Sequence, residues 1–396
     1  MSIWRKKKRV YLDVAAAAPV SARALTAFQE AEQTYGNPSS PHTEGRQASG
    51  LLEQSRARIA SLAEVKPDAV IFTGNATEAN ALLVQGCISA LHETGRAYTD
   101  MHVLYDAGAH SSLVESVGLL VAKLGVVTEA IAYRNGNVDL EAFKKQLLPH
   151  TVLVAVSAVC GETGAITPTR EIRRIMDAAH KGTDTLLHVD ACQLPRVGAY
   201  ELTRLGADSI SLDAQKVGGV RGIGALIAPR RIALMPLMRG GGQERGLRPG
   251  TPSPALASSF AEALSDAHED RESFVAFSQT LRATILETVG TIPNALVNEG
   301  KEQAPHIVNI SFLGRDTDYL VALLDEAGFA VSTRSACEAD AEGSRAVHAM
   351  TGSKDRAEST LRISWGPETT HKEIVSFSNA LFDCVKFLDT TDILKS

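Results

Sequence analysis

The chain predicts an α/β fold: a mostly parallel central sheet flanked by helices, followed by a smaller α+β region. Three observations carry this. Short apolar runs alternate with helix-like segments through the first two thirds of the 396 residues. Two of those runs end in residues of opposite charge, Asp190 and Lys216, 26 positions apart. Beyond about residue 254 the alternation gives way to a long helical stretch and a few separated strands.

The elements follow in order. VYLD opens the chain as a strand after the basic run Arg5–Arg9. VIFTG (70–74) and HVLYDA (102–107) are continuous apolar strands, as a sheet covered on both faces requires. TVLVAVSAV (151–159), LLHVDA (186–191), SISLDA (209–214) and GIGALIA (222–228) repeat the pattern. Between them, ATEANALLVQGCISAL, SSLVESVGLLVAKLG, LEAFKKQLLP and TREIRRIMDAAHKG read as helices. From Pro254 one long helical region runs to Val289. Strands HIVNISFL, FAVST and TLRISWG come next, and the helix HKEIVSFSNALFDCVKFL closes the chain. This organisation predicts a large domain over residues 16–257. Residues 1–15 and 258–396 form the smaller one.

Composition narrows the function. The chain is 44% hydrophobic and 22% charged, as in a globular protein with a sizeable core. A net charge of −6 argues against a general nucleic-acid binder. No apolar run approaches the roughly 18 residues of a membrane span. The basic N-terminus lacks the apolar run of a signal peptide and reads as a solvated lead-in to the first strand. The five cysteines (Cys87, Cys160, Cys192, Cys337 and Cys384) are odd in number and form no C-x-x-C pair. A disulfide framework or zinc site is not expected, and a reducing cytoplasm fits. Cys87 and Cys384 lie in apolar helical stretches and read as core fillers. The eleven histidines show no metal-binding spacing, so no metal is expected.

Asp190 and Lys216 at the ends of neighbouring strands suit one cofactor, pyridoxal 5′-phosphate (PLP). The lysine amine bonds its aldehyde. The carboxylate keeps its pyridine nitrogen protonated, so that the ring draws electrons. A structural ion pair is the bland reading of the same two residues. The junction of VIFTG with the following helix offers free N–H groups and a helix dipole, an anion site with the Thr77 hydroxyl beside it. Thr77 also reads as a simple cap.

Further motifs stand in a fixed order: YGNPSSPHTEGR (35–46), VIFTGNATEAN (70–80), HVDACQ (188–193), GIGAL (222–226), GGGQERGLRPGT (240–251), HIVNISF (306–312), STRSAC (332–337) and LRISWG (361–366). With them the chain resembles the cysteine desulfurases of the NifS/IscS type, in the class V aminotransferase group of fold-type I PLP enzymes. The resemblance spans nearly the whole length. It implies that Lys216 carries the cofactor, Asp190 meets the ring nitrogen and Gln193 the phenolic oxygen. His110 stacks on the ring and moves protons. Asn75, Ala76 and Thr77 hold the phosphate, completed by Thr251 of a neighbouring subunit in a homodimer. Arg362 clasps the substrate carboxylate, with Asn37 also on the substrate side.

Cys337 carries the implied chemistry. It sits in a polar stretch with Arg334 and Arg345 nearby, charges that favour a thiolate. That thiolate takes sulfur from L-cysteine, leaving L-alanine and a persulfide for an acceptor protein. An iron–sulfur cluster scaffold or a tRNA- or DNA-modifying protein would each serve as acceptor. Other readings remain open: a PLP lyase or transaminase resembling selenocysteine lyase, or a weakened paralogue acting as a scaffold.

The chain departs from the family pattern. The usual N-N-E-x-G is Cys160 to Gly164, and the usual S-x-H-K is Asp213 to Lys216. Asp213 and Gln215 thus replace a serine and a histidine that serve phosphate. The usual N-N-A-T-T is Val14 to Ala18, which removes polar side chains near the substrate. Arg334 stands where glycine is common.

Overall fold

The structure, a computed structural model, describes residues 9–179, 185–333 and 343–392. Its centre is a seven-stranded sheet. From one edge the order is Val70–Thr73, Gly224–Ile227, Ser209–Asp213, Leu186–Asp190, Thr151–Ser157, His102–Tyr105 and Val127–Ala130. Every adjacent pair is parallel except those of Gly224–Ile227, which runs antiparallel to both neighbours. The expected mostly parallel sheet is present, and the edge strand Val127–Ala130 is an addition that the sequence reading lacked.

Period-two alternation sends successive residues to opposite faces. Val70 and Phe72 enter one apolar cluster and Ile71 the other. Val154 and Val156 oppose Leu153 and Ala155 in the same way. Both faces are therefore covered, which is why these strands read as unbroken apolar runs. On one face lie helices Ala76–Glu93 and Ser111–Leu124, whose Leu82, Leu83, Leu113 and Val117 fill the second cluster. The helices Ala22–Ala31 and Thr43–Leu62, also absent from the sequence reading, pack with Pro254–Glu269 on the other.

The long helical region after Pro254 is two helices, Pro254–Glu269 and Arg271–Val289, hinged at Asp270. The first adds Phe260 and Leu264 to the sheet's core, whereas Phe274 and Leu281 enter a third cluster. That cluster is built on the antiparallel sheet Ala295–Val297, Ile307–Phe312 and Thr360–Ser364, backed by the closing helix His371–Asp392. Val10–Tyr11 pairs with Phe329–Ala330, and Leu12 is buried in the same cluster. From Val10 to Leu12 the chain lies in the third core, and it passes directly from there into the central sheet's cleft.

One close approach sets the geometry of that cleft. Gly224 lies beneath the start of the Ala76–Glu93 helix. A Cβ there would stand 2.6 Å from the Asn75 carbonyl carbon, 2.8 Å from Ala76 N and 2.8 Å from Leu212 O. All three are backbone atoms and cannot swing aside. Gly224→Ala is expected to lower stability by about 1–3 kcal/mol, measured by urea unfolding of the apoprotein. An unchanged midpoint would show that the helix start yields freely.

Candidate functional site

The C-terminal ends of the central strands open into one cavity, with about 930 Å³ of empty space including its mouth. Strand ends deliver Asp190 and Asp213, and the turn after Asp213 delivers Lys216. Helix starts deliver Asn75, Ala76, Thr77 and His110. Gln193 and Arg362 complete the expected set.

Asp190 is held by two donors: Asn80 Nδ2 reaches Oδ2 at 2.9 Å, and the Cys192 N–H reaches Oδ1 at 3.1 Å. Asn80 is fully buried and is the centre of a polar network. Its Nδ2 also donates to Ser112 Oγ (2.9 Å). Its Oδ1 accepts from Ser211 Oγ (2.6 Å) and His188 Nε2 (3.0 Å). The amide thus uses its full hydrogen-bonding capacity. Burial lowers His188 to about 4, which keeps the ring neutral.

Ser112 extends the network to His110. The Ser112 N–H donates to His110 Nδ1 at 3.1 Å, which leaves the neutral ring's proton on Nε2. Burial pushes the His110 imidazole down, and Asp190 opposes that shift.

The Lys216 Nζ donates to the carbonyls of Ala15 and Ala16, each at 2.8 Å. Burial lowers its pKa, which favours the unprotonated amine that attacks a carbonyl carbon. Gln193 Nε2 also donates to Ala15 O, at 2.8 Å. The departure at Val14–Ala18 therefore removes side-chain polarity, while the backbone there seats two of the site's key residues.

Arg362 is buried. Its Nη2 donates to Asp13 Oδ1 (2.7 Å) and its Nη1 to Gly161 O (3.0 Å), and Nε has no partner among the described residues. A buried guanidinium facing the cavity with an unused donor suits a carboxylate. Asp13 as its neighbour was not foreseen, although VYLD carried it in plain view. At Gly161 an added Cβ would meet Gln193 only at ordinary contact distance, so the space left by the absent asparagine is open.

Two expected residues lie elsewhere. Thr251 is exposed, and so is Asn37, whose Oδ1 accepts from the Ser39 N–H at 2.9 Å. They share a separate surface cleft with Tyr35. The chain by itself does not bring them to the cavity. Cys337 and Arg334 lie outside the described residues. Asn80, Ser112 and His188 were missed as supporting residues; the signal was an asparagine on the apolar side of ATEANALLV.

Fold and site together define a PLP-dependent enzyme of the transferase type, and the chain belongs to the aminotransferase class-V family, whose profile matches residues 10–377. Its relatives are cysteine desulfurases. It is 32% identical over 388 residues to "Cysteine desulfurase, mitochondrial" of Candida albicans, covering 96% of this chain and 77% of the relative. It is 31% identical to "Putative cysteine desulfurase IscS 1" of Bacillus subtilis, covering 96% and 100%. Among solved structures, a NifS-like protein superposes with a TM-score of 0.88 at 28% identity, covering 96% and 100%. One titled "SspA in complex with cysteine" gives 0.76 at 26% identity, covering 91% and 99%.

The residues present fit PLP. The unpartnered Arg362 Nε, the parked Lys216 amine and the Gly224 cradle under the helix start are features that a cofactor and an amino acid would use. The one discordant group is Asp213, whose Oδ2 already accepts from the Ala76 N–H at 2.9 Å.

Asn80→Ala would strip Asp190 of a donor and leave His188 and Ser211 without an acceptor. Stability is expected to fall by at least about 2 kcal/mol, and PLP retention to weaken with it. Urea unfolding and the visible absorbance of the purified protein test this. Full retention of PLP in the variant would remove Asn80 from the site's support.

Proposed function

We propose that the protein is a PLP-dependent cysteine desulfurase that converts L-cysteine to L-alanine and passes the sulfur on as a persulfide of Cys337. The observation that carries this reading is the convergence of Lys216, Asp190, His110 and Arg362 on one cavity. Lys216 would hold the cofactor's aldehyde carbon, Asp190 its ring nitrogen and Gln193 its phenolic oxygen. Asn75, Ala76 and Thr77 would hold its phosphate. Bound there, PLP supplies an electron sink next to the substrate's α-carbon. Arg362 orients the substrate by its carboxylate, and His110 at Nε2 holds or moves a proton beside the ring.

The sulfur step balances within this set. The Cys337 thiolate attacks the substrate sulfur, an S–S bond forms and the Cβ–S bond breaks. The bonding pair stays with carbon, which is reduced to the alanine methyl by proton uptake, and the transferred sulfur is oxidised to the persulfide level.

The flanks of Cys337 support its assignment. Ser332 pairs with Arg362 through both backbone hydrogen bonds, at 2.6 and 3.3 Å. Ser344 Oγ donates to Glu162, which lines the cavity. Cys337 is five residues beyond Ser332, a reach of up to about 17 Å. The cysteines of the cavity wall are poor alternatives: desolvation raises Cys160 to about 11 and Cys192 well above its ordinary value.

The working unit in this reading is a homodimer in the cytoplasm. Thr251 and Asn37, exposed together away from their own cavity, would complete the partner's site. The sulfur acceptor is a protein, either an iron–sulfur cluster scaffold or a tRNA- or DNA-modifying protein.

Incubation with cysteine should yield alanine one-for-one with acceptor-released sulfide, and mass spectrometry should find the extra sulfur on Cys337. Cys337→Ser should keep PLP and lose alanine formation by more than a hundredfold. Persulfide on Cys160 with full turnover in that variant would overturn the assignment.

Light scattering should give a dimer, and Thr251→Ala should weaken PLP retention about tenfold, a change of about 1.4 kcal/mol. A monomer with full PLP occupancy would rule out the shared site.

A further inference from the structure

The start of the Ala76–Glu93 helix presents three N–H groups near the cavity. Glu78 N–H is capped by Asn75 Oδ1 at 2.9 Å. Ala76 N–H donates to Asp213 Oδ2 at 2.9 Å. Among the described residues the Thr77 N–H has no acceptor. Asp213 is only 6% exposed and lines the cavity. Its Oδ1 accepts from the Gln215 N–H at 3.1 Å. Among the described residues no lysine, arginine or histidine nitrogen pairs with it, because the Lys216 amine is turned to Ala15 and Ala16. A phosphate ester at Thr77 therefore meets a carboxyl that already occupies the neighbouring N–H.

Two anions that share one helix start, one of them the buried Asp213 carboxyl, repel each other; a shared proton removes the repulsion. The surroundings favour that proton. Burial raises Asp213 most, the Ala76 and Gln215 N–H groups and Lys216 oppose the rise, and Asp190 adds to it. His110 and the Cys192 thiol face the same cavity, and the Glu78–Arg248 pair flanks the helix's first turn.

We propose that Asp213 binds the cofactor phosphate as a carboxylic acid, with one proton shared between the Asp213 carboxyl and a phosphate oxygen. The proposal rests on the PLP reading above and gives Asp213 a role: it makes cofactor retention proton-linked. PLP binding takes up one proton above the phosphate's second pKa of about 6. Affinity therefore falls as pH rises, by up to tenfold per pH unit. Pyridoxal, which has no phosphate, carries no such linkage through Asp213.

The test is a titration of the apoprotein with PLP, and separately with pyridoxal, from pH 6.5 to 9, followed by absorbance. Wild type, Asp213→Asn and Asp213→Ser are compared. Asp213 also acts on Lys216 and His110, so pyridoxal, which meets both groups but carries no phosphate, is the control that isolates the phosphate-linked proton. The expected result is that both variants lose about one proton from the PLP slope and bind PLP at least tenfold tighter at pH 8.5. Their pyridoxal slopes should change by far less than their PLP slopes. Calorimetry in buffers of different ionisation enthalpy should show one more proton taken up by wild type. Equal slopes, or weaker PLP binding by both variants at every pH, would overturn the shared proton. Pyridoxal binding that changes as much as PLP binding would move the effect away from phosphate and overturn it too. If no form binds PLP at any pH, the cofactor reading itself fails, and that outcome is distinct from the others.

Discussion

The site depends on one buried amide. Asn80 joins its own helix Ala76–Glu93, the helix that follows His110, the strand that ends at Asp190 and the strand that leads to Lys216. Each of its four hydrogen bonds goes to a different element or strand residue, so it fixes their mutual register. A polar group at 0% exposure is tolerable only when fully paired. Asn80 is so paired, and its partners are in turn oriented by it. Such a network gives a carboxyl a single rotamer without placing a cation beside it. This matters where the carboxyl must meet a ring nitrogen rather than a lysine.

A second constraint is the path of residues 12–18. The chain leaves the third core at Leu12 and enters the cleft at Val14–Ala18. Ala15 N–H is tied to Ser364 Oγ, and the carbonyls of Ala15 and Ala16 point at Lys216. Asp13 and Arg362 clasp across the same junction. Arg362 and Lys216, the proposed substrate and cofactor residues, are thus held by one short segment. Small alanine side chains let that backbone approach closely, so a loss of polar residues costs less here than side-chain counting suggests.

These particulars show what the sequence could reveal. The strands were legible because both faces are buried, and continuous apolar runs bounded by turns have few other meanings. That Lys216, Asp190, His110, Gln193 and Arg362 share one cavity was legible from motif order: Asp190 ends a strand and His110 precedes a helix, whereas Arg362 sits in the middle of Thr360–Ser364. The helices Ala22–Ala31 and Thr43–Leu62 were not, because their apolar stripes are thin: Ala24 and Ala31 are the only buried residues of the first. The break at Asp270 was hidden because both flanking segments are helical in pattern. Asn80 and Asp13 were visible letters whose importance comes from partners 110 and 349 residues away. Asp213 was noticed as a charge out of place; only its contact with Ala76 shows which way it faces.

The cysteines connect this architecture to transfer chemistry. A sulfur carrier has to meet a substrate held deep in the cleft and then a protein outside it. Cys160 and Cys192 are fixed in the cavity wall, and burial that makes them good packing also raises them away from the thiolate. Cys87, raised to about 12, belongs to the core behind the sheet. A rigid wall therefore supplies orientation and a poor nucleophile, and the two demands separate onto different parts of the chain. The strand ends hold what must not move. The stretch between Ser332 and Ser344, tied at one end to Arg362 and at the other to the cavity's Glu162, holds the proposed carrier. The proposed substrate-docking residue Arg362 and the root of the proposed carrier segment at Ser332 thus share one strand pairing.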